Sequence, residues 1–423
     1  MDSATELEGR AAALVDEARL WRRHMEMAKL GATPKGGVRR PALTSDDNRA
    51  RALLAEWGAA IGFTSAIDPI GNFFVRREGS EATALPVVSG SHTDTQPSGG
   101  KFDGIYGVLA ALEAMEAIER AGIKTRRPIE AAVWTSEEGG SRFQLGCLGS
   151  SVFAGATPLA DALAAKDYDG VSVATAIEET RRAVPMAADR ALGFPLSAFV
   201  EAHIEQGPEL EAVGKTIGIV TVIQGARRFL IEVTGEDGHA GTVKRALRKD
   251  AFLAAIRMAA ALERHFHDPE DVVRFTIGRF VVTPNAPAVI PGRVIFTVDF
   301  RHPEPSVLDR LGDGVARICE AAKGPCGVKV EQTSATKPVH FSGLVPDLVE
   351  AAARRLKLPA MRMLSGAGHD SIYLNRCCPT GMIFVPCEKG ISHSEIENAA
   401  PSDLAAGARV LAEVLVELAN RPD

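Results

Sequence analysis

An α/β fold is predicted: a mixed sheet covered by helices, with a smaller βαββαβ, ferredoxin-like domain inserted into it. Three observations carry that expectation. Strand-like apolar runs alternate with helix-patterned segments from Phe63 to Gly155. Near Gln224 the rhythm changes to strands grouped around two amphipathic helices, the split βαβ order. After Thr333 the helix and strand alternation returns. A chain of 423 residues exceeds one ordinary core. The boundaries read as 1–223 and 335–423 for the large domain and 224–334 for the inserted one.

In chain order, Ala11 to Met27 is amphipathic and helical, and Ser45-Asp-Asp-Asn caps a second helix through Trp57. Asp68 to Arg76 and Leu85 to Ser89 are strands, Gly107 to Ala121 an Ala- and Leu-rich helix, and Ile129 to Thr135 another strand. Thr157 to Ala188 reads as surface helices, followed by the strand Ala198 to Glu205. In the inserted domain, Phe229 to Gly235 precedes a helix, Asp250 to Phe266, with Phe252, Ile256, Ala259 and Phe266 on one face. Strands Val273 to Val282 and Val294 to Phe300, a helix Ser306 to Lys323 and a strand Val328 to Thr333 complete it. Gly343 to Leu356, Met382 to Pro386 and Ser402 to Leu418 close the large domain as helix, strand and helix.

Composition narrows the function classes. Apolar residues make up 46% and charged residues 24%, with a formal charge of −6, which gives no footprint for nucleic acid or an anionic membrane. No apolar run approaches the ~18 residues of a membrane span, and the acidic start Met-Asp-Ser-Ala-Thr-Glu lacks a secretory pattern. A cytoplasmic protein is the expectation. The six cysteines, Cys147, Cys319, Cys326, Cys377, Cys378 and Cys387, contain no CxxC pair and read as reduced thiols. The vicinal Cys377 and Cys378 are expected to be buried beside a strand.

The residues with chemistry recur at one kind of place. His92 and Asp103 stand in Gly90-Ser-His-Thr-Asp-Thr-Gln-Pro-Ser-Gly-Gly-Lys-Phe-Asp-Gly104, just after an apolar run. Glu137 and Glu138 follow the run ending at Trp134, His203 ends another, and His393 follows Gly381 to Pro386. Ligands gather outside the carboxyl ends of strands in open α/β sheets. A dinuclear hydrolytic site needs two cations, a bridging carboxylate, terminal ligands and a base for water. Each residue also has an ordinary reading. Asp103 suits a helix cap, the two glutamates a solvated loop pair, and a lone histidine a hydrogen-bonded one. Four strand ends carrying such residues together favour the metal.

The stretches GSHTDTQPSGGKFDG, WTSEEGGSRF, EAHIEQGP, DGHAGT, PNAPAVIPG, SGAGHD and GMIFVPCEKGISHSE resemble the hydantoinase/carbamoylase-type amidases. That family includes N-carbamoyl-L-amino-acid hydrolases, bacterial-type β-ureidopropionases and allantoate amidohydrolases. It lies within the aminoacylase- and carboxypeptidase-G-like dinuclear metallohydrolases. The resemblance spans nearly the whole chain and implies a metallohydrolase catalytic domain with an inserted lid and dimerisation domain. It implies two divalent ions per subunit, Zn²⁺ or Mn²⁺ with Co²⁺ or Ni²⁺ also suited to such ligands. His92 and His203 would hold one, Glu138 and His393 the other, and Asp103 would bridge.

Further roles come from the same resemblance. Glu137 would be the general base, and His239 a lid histidine stabilising the oxyanion in the partner subunit's site. Arg301 would clamp the substrate carboxylate; its ordinary reading is a salt bridge with Asp299 or Glu304. Gln206, Asn285, Gly366 and His369 would line the substrate. Two departures from the family pattern stand out. Ala288 occupies the place of a second, substrate-donating Asn, and Thr242-Val-Lys-Arg245 replaces Thr-Thr-Pro-Met. A lost buried donor costs about 1–3 kcal/mol.

The implied activity is removal of an N-carbamoyl group from an amino acid or similar small carboxylate, by a homodimer whose domains close over the site. Rival readings are allantoate or ureidoglycolate hydrolysis, an aminoacylase or dipeptidase activity, and a silent binding module. Neither nucleic acid nor membrane is an expected partner.

Overall fold

The computed structural model describes residues 9–422. The described residues up to Thr221 and from Phe341 onward form one compact unit, and Val222–His340 another.

In the first unit, four neighbouring strands run parallel. Ile129–Val133 pairs with Val87–Ser91, which pairs with Ala198–Ile204, which pairs with Thr380–Val385. All four are buried along their length, as strands covered by helices on both faces must be. Outside them the pairing turns antiparallel, with Phe73–Arg77 against Ile129–Val133 on one side and Ile217–Ile223 against Thr380–Val385 on the other. The sheet is therefore mixed. The helix Ile105–Arg120 lies across it, buried almost throughout, and the closing helix Pro401–Asn420 packs on that. Gly407 permits this approach, because a Cβ there would sit 2.1 Å from the Tyr106 hydroxyl.

Several local expectations are corrected. The segment from Ala11 is not one helix. A 3₁₀ turn, Ala12–Leu14, precedes the helix Glu17–Met27, whose first turn is capped by Asp16 accepting from the Arg19 N–H at 2.9 Å. Ser45 is already helical, with Thr44 at the cap position; Asp47 reaches back to the Leu43 N–H at 2.8 Å. Asp68 to Arg76 is not continuous either. Thr64–Ile67 and Phe73–Arg77 form a hairpin, because Asp68 accepts from the Ile70 and Asn72 N–H groups at 3.0 and 2.9 Å and turns the chain. Cys377 is exposed and Cys378 half-buried, since both lie in the turn before Thr380 rather than on the strand.

The second unit has strands Gly225–Thr234, Arg293–His302 and Gly327–Thr336, with Gly225–Thr234 between the other two and antiparallel to both. The single strand expected at Val273 to Val282 is two short ones, Arg274–Thr276 and Phe280–Thr283, both paired with Arg293–His302. Helices Ala251–Phe266 and Pro305–Ala322 join the same core. The buried stripe of the first helix is Ala251, Ala255, Met258, Leu262 and Phe266, not the one anchored on Ile256, which is 44% exposed. The small alanines allow the helix to approach the sheet.

Candidate metal centre

The four parallel strands deliver their carboxyl ends side by side. His92 follows Val87–Ser91, Glu137 and Glu138 follow Ile129–Val133, His203 ends Ala198–Ile204, and His393 lies in the loop after Thr380–Val385. Asp103 comes from the loop that leads into the helix Ile105–Arg120. It does not cap that helix: Gly104 takes the cap position, and the Asp103 carboxylate turns to the histidines.

Asp103 spends one oxygen on each side. Its Oδ1 lies 3.3 Å from His203 Nε2 and 4.0 Å from His92 Nε2. Its Oδ2 lies 3.3 Å from His393 Nε2, which is 3.7 Å from Glu138 Oε2. Two ligand sets result, His92, Asp103 and His203, and Asp103, Glu138 and His393, each with donor atoms within 4.8 Å of one another. Glu137 stands beside them, Oε2 at 3.6 Å from His92 Nε2.

The rings are aimed by the backbone. His92 Nδ1–H donates to the Asp94 carbonyl and His203 Nδ1–H to the Ile204 carbonyl, both at 2.8 Å, so each presents Nε2 to Asp103. The loops are tied as firmly. The Asp94 carboxylate accepts the Glu137 and Glu138 N–H groups at 3.3 and 3.1 Å. Glu397 accepts the Phe102 and Asp103 N–H groups at 2.9 and 3.1 Å and takes the Ser392 hydroxyl at 2.9 Å, joining the Asp103 loop to the His393 loop. Gly100 makes room for it, as a Cβ there would lie 2.0 Å from the Glu397 carboxyl carbon. Ser136, Cys147, Gln206 and His393 all carry positive φ without being glycine, the backbone strain that clusters where surrounding structure imposes a conformation.

Carboxylates are concentrated here, and His393, drawn up to about 9 by its bond to Asp103, is a base beside them. Among the described residues, the ion-pair contacts of Asp103, Glu137 and Glu138 are all with histidines. Burial, then the neighbouring Glu138 and Asp370, push Glu137 well above the usual carboxylate range. Burial and Asp103 push Glu138 up to about 8. Burial holds His92 down to about 4, so its imidazole is neutral and able to ligate. Glu138 Oε1 is buried with no hydrogen-bond partner. Mixed imidazole and carboxylate donors, one carboxylate shared and one oxygen unspent, fit two divalent cations.

Of the other residues singled out in the sequence, Gln206 joins the cluster, its amide donating to Asp103 Oδ2 and Ser392 Oγ at 3.1 Å. The buried His369 ring packs 4.6 Å from His203, with Nε2 at 3.0 Å from Ser365 Oγ, and Gly366 lies exposed in the same loop. His239, Asn285 and Arg301 belong to the second unit. His239 is exposed on a two-stranded ribbon, Gly238–His239 against Val289–Ile290, and Ala288 is exposed beside it, its carbonyl accepting the Ala240 N–H at 3.0 Å. Asn285 is exposed with φ 58°. Arg301 contacts Asp299 at 3.3 Å, one of its two ordinary partners named from sequence. Sequence reasoning passed over Asp94 and Glu397. Asp94 had a signal, two residues after His92. Glu397 had none, its amide partners lying 294 and 295 residues away.

Residues 88–417 match the Peptidase family M20/M25/M40. The chain is 38% identical over 410 residues to an N-carbamoyl-L-amino-acid amidohydrolase of Rhizobium meliloti, covering 96% of this chain and 97% of that one. It is 35% identical to the allantoate amidohydrolase of Bacillus subtilis, covering 93% and 95%. A crystal structure of a hydantoinase/carbamoylase family amidase from Burkholderia multivorans superposes with a TM-score of 0.90 at 46% identity, covering 97% and 99%.

Proposed function

The chain belongs to the Peptidase family M20/M25/M40, in its hydantoinase/carbamoylase branch, and from that premise we propose that it removes the N-carbamoyl group from an N-carbamoyl amino acid. It is an amidohydrolase of a metal-dependent family, acting on C–N bonds other than peptide bonds. The products of the proposed reaction are the amino acid, carbon dioxide and ammonia. The observation that carries the reading is Asp103, with one oxygen turned to each ligand set and Glu137 beside them.

Two divalent ions, Zn²⁺ or Mn²⁺ with Co²⁺ or Ni²⁺ as alternatives, would supply Lewis acidity and lower the pKa of water. They would be held by His92, His203 and Asp103, and by Asp103, Glu138 and His393. Glu137 takes the proton of the attacking water and delivers it to the leaving nitrogen, which a positioned carboxylate does for about 10²–10⁴ in rate. Arg301 on the second unit pairs with the substrate carboxylate, exchanging Asp299 for it. His239 of one copy donates to the oxyanion developing in the site of the other copy.

A substrate panel tests this. Metallated protein is given N-carbamoyl-L-methionine, N-carbamoyl-β-alanine and allantoate, and ammonia is measured. A carbamoyl amino acid is expected to be turned over fastest, with Glu137→Gln slower by about 10³ at unchanged metal content. Faster turnover of allantoate would move the assignment to the second reading, which the Bacillus subtilis relative favours.

A homodimer through the second unit is part of the proposal. Leu253, Ile256, Phe280 and Val281 are exposed there, with the Phe252 and Phe280 rings 6.1 Å apart, an apolar face that a second copy would cover. Light scattering should give twice the chain mass for wild type and the single mass for Ile256→Asp. A monomeric wild type sinks this part.

A further inference from the structure

The turn carrying the two glutamates is clasped by a second segment. The Cys147, Leu148 and Gly149 N–H groups donate in succession to the carbonyls of Glu137, Ser136 and Thr135, at 2.9, 3.1 and 2.7 Å. Cys147 is held in a left-handed backbone conformation, φ 49° and ψ 38°, which a residue with a Cβ adopts where the surrounding structure imposes it. That conformation brings its side chain back over the turn. The thiol Sγ lies 3.4 Å from Glu137 Oε1, and Glu137 Oε2 lies 3.6 Å from His92 Nε2.

The two oxygens of one carboxylate therefore have separate neighbours. One meets the thiol and the other meets the ligand set. Without an anchor, a glutamate side chain turns about its last bond almost freely, and the catalytic oxygen loses its direction. The anchor here is also neutral. A lysine or arginine in its place would stabilise the carboxylate and weaken it as a base, whereas S–H is a weak, uncharged donor. Burial, with Glu137 and Asp370 nearby, pushes the thiol well above its ordinary range, which keeps its proton in place. On the neighbouring residue the arrangement differs, since the Gln96 amide donates at 2.5 Å to Glu138 Oε2, the oxygen that faces His393.

We propose that Cys147 is the positioning residue of the general base: its S–H holds Glu137 Oε1 and so sets the carboxylate rotation that turns Oε2 to the metal centre. This rests on the reading of Glu137 as base.

The test has two parts. The first measures steady-state kinetics of the metallated, full-length enzyme on whichever panel substrate releases ammonia. Cys147→Ala is expected to lower kcat about ten-fold with KM and metal content unchanged, because misdirecting a reacting group by a fraction of an ångström is costly. Cys147→Ser, which restores a donor, is expected to recover kcat to within about three-fold of wild type. The second part needs no substrate: the infrared S–H stretch of Cys147, isolated by subtracting the Cys147→Ser spectrum. It should sit at a hydrogen-bonded position in wild type and move to the free-thiol position in Glu137→Ala. Cys147→Ala turning over like wild type, alanine and serine variants equally slow, or a free-thiol band in wild type each overturns the proposal. Full activity in Glu137→Gln overturns instead the base assignment, and the infrared band then decides alone whether the thiol holds that carboxylate.

Discussion

The strand-end cluster and the ribbon that carries His239 are built in opposite ways. In the cluster, His92 and His203 are 2% and 1% exposed, their rings aimed by backbone carbonyls, and the loops between them are tied by Asp94 and Glu397. In the ribbon, two residue pairs hold the strands, His239 is exposed, and its Nδ1 accepts the Gly241 N–H at 3.0 Å. Buried groups of like charge need many bonds to hold one geometry, because each lost bond leaves a desolvated polar atom. Groups on an exposed ribbon can change without unfolding anything. The departures from the family pattern follow that division. Ala288, Lys244 and Arg245 all fall on or beside the ribbon, and none falls among the cluster ligands.

Two substitutions probe the contrast from its two sides. Asp94→Ala strikes the cluster without replacing a ligand. It removes the acceptor of the Glu137 and Glu138 N–H groups, so metal affinity and kcat/KM should each fall about 10–100-fold, the usual effect of losing a group that orients ligands. Metal titration and kinetics read this together; activity within two-fold of wild type would mean that the turn holds its shape unaided. On the ribbon, Ala288→Asn is the smaller change. It should raise kcat/KM for carbamoyl substrates by up to about ten-fold, the low end of a regained buried hydrogen bond, and leave unfolding stability within about 0.5 kcal/mol. Lost stability with unchanged kinetics would show that this position serves the ribbon's folding and not the substrate.

The Cys147 segment shows where reading from sequence stops. His92, Glu137 and Glu138 announce themselves by standing at the ends of apolar runs, a local pattern. Nothing in Leu145-Gly-Cys-Leu-Gly149 says that its cysteine returns to Glu137, because the contact is made by a left-handed backbone and three N–H bonds formed only once the loop has closed. The hairpin within Asp68 to Arg76 is a different case. There the turn was legible in Asp68-Pro-Ile-Gly-Asn72, and the structure closes it with the Asp68 side chain, two backbone bonds between Asp68 and the Gly71–Asn72 pair, and a left-handed Gly71.

By itself, the sequence determined the alternation of elements, the change of rhythm near Gln224 and the residue types available at four strand ends, since these depend on periodicity and neighbours a few positions apart. The tertiary structure alone decided that those four strands lie side by side and parallel, that Asp103 divides its oxygens between two ligand sets, and that Glu397 and Cys147 steady them. Such contacts join residues tens to hundreds of positions apart, or depend on a backbone turn no local pattern marks. Packing fixes them, and no stretch of the chain encodes them alone.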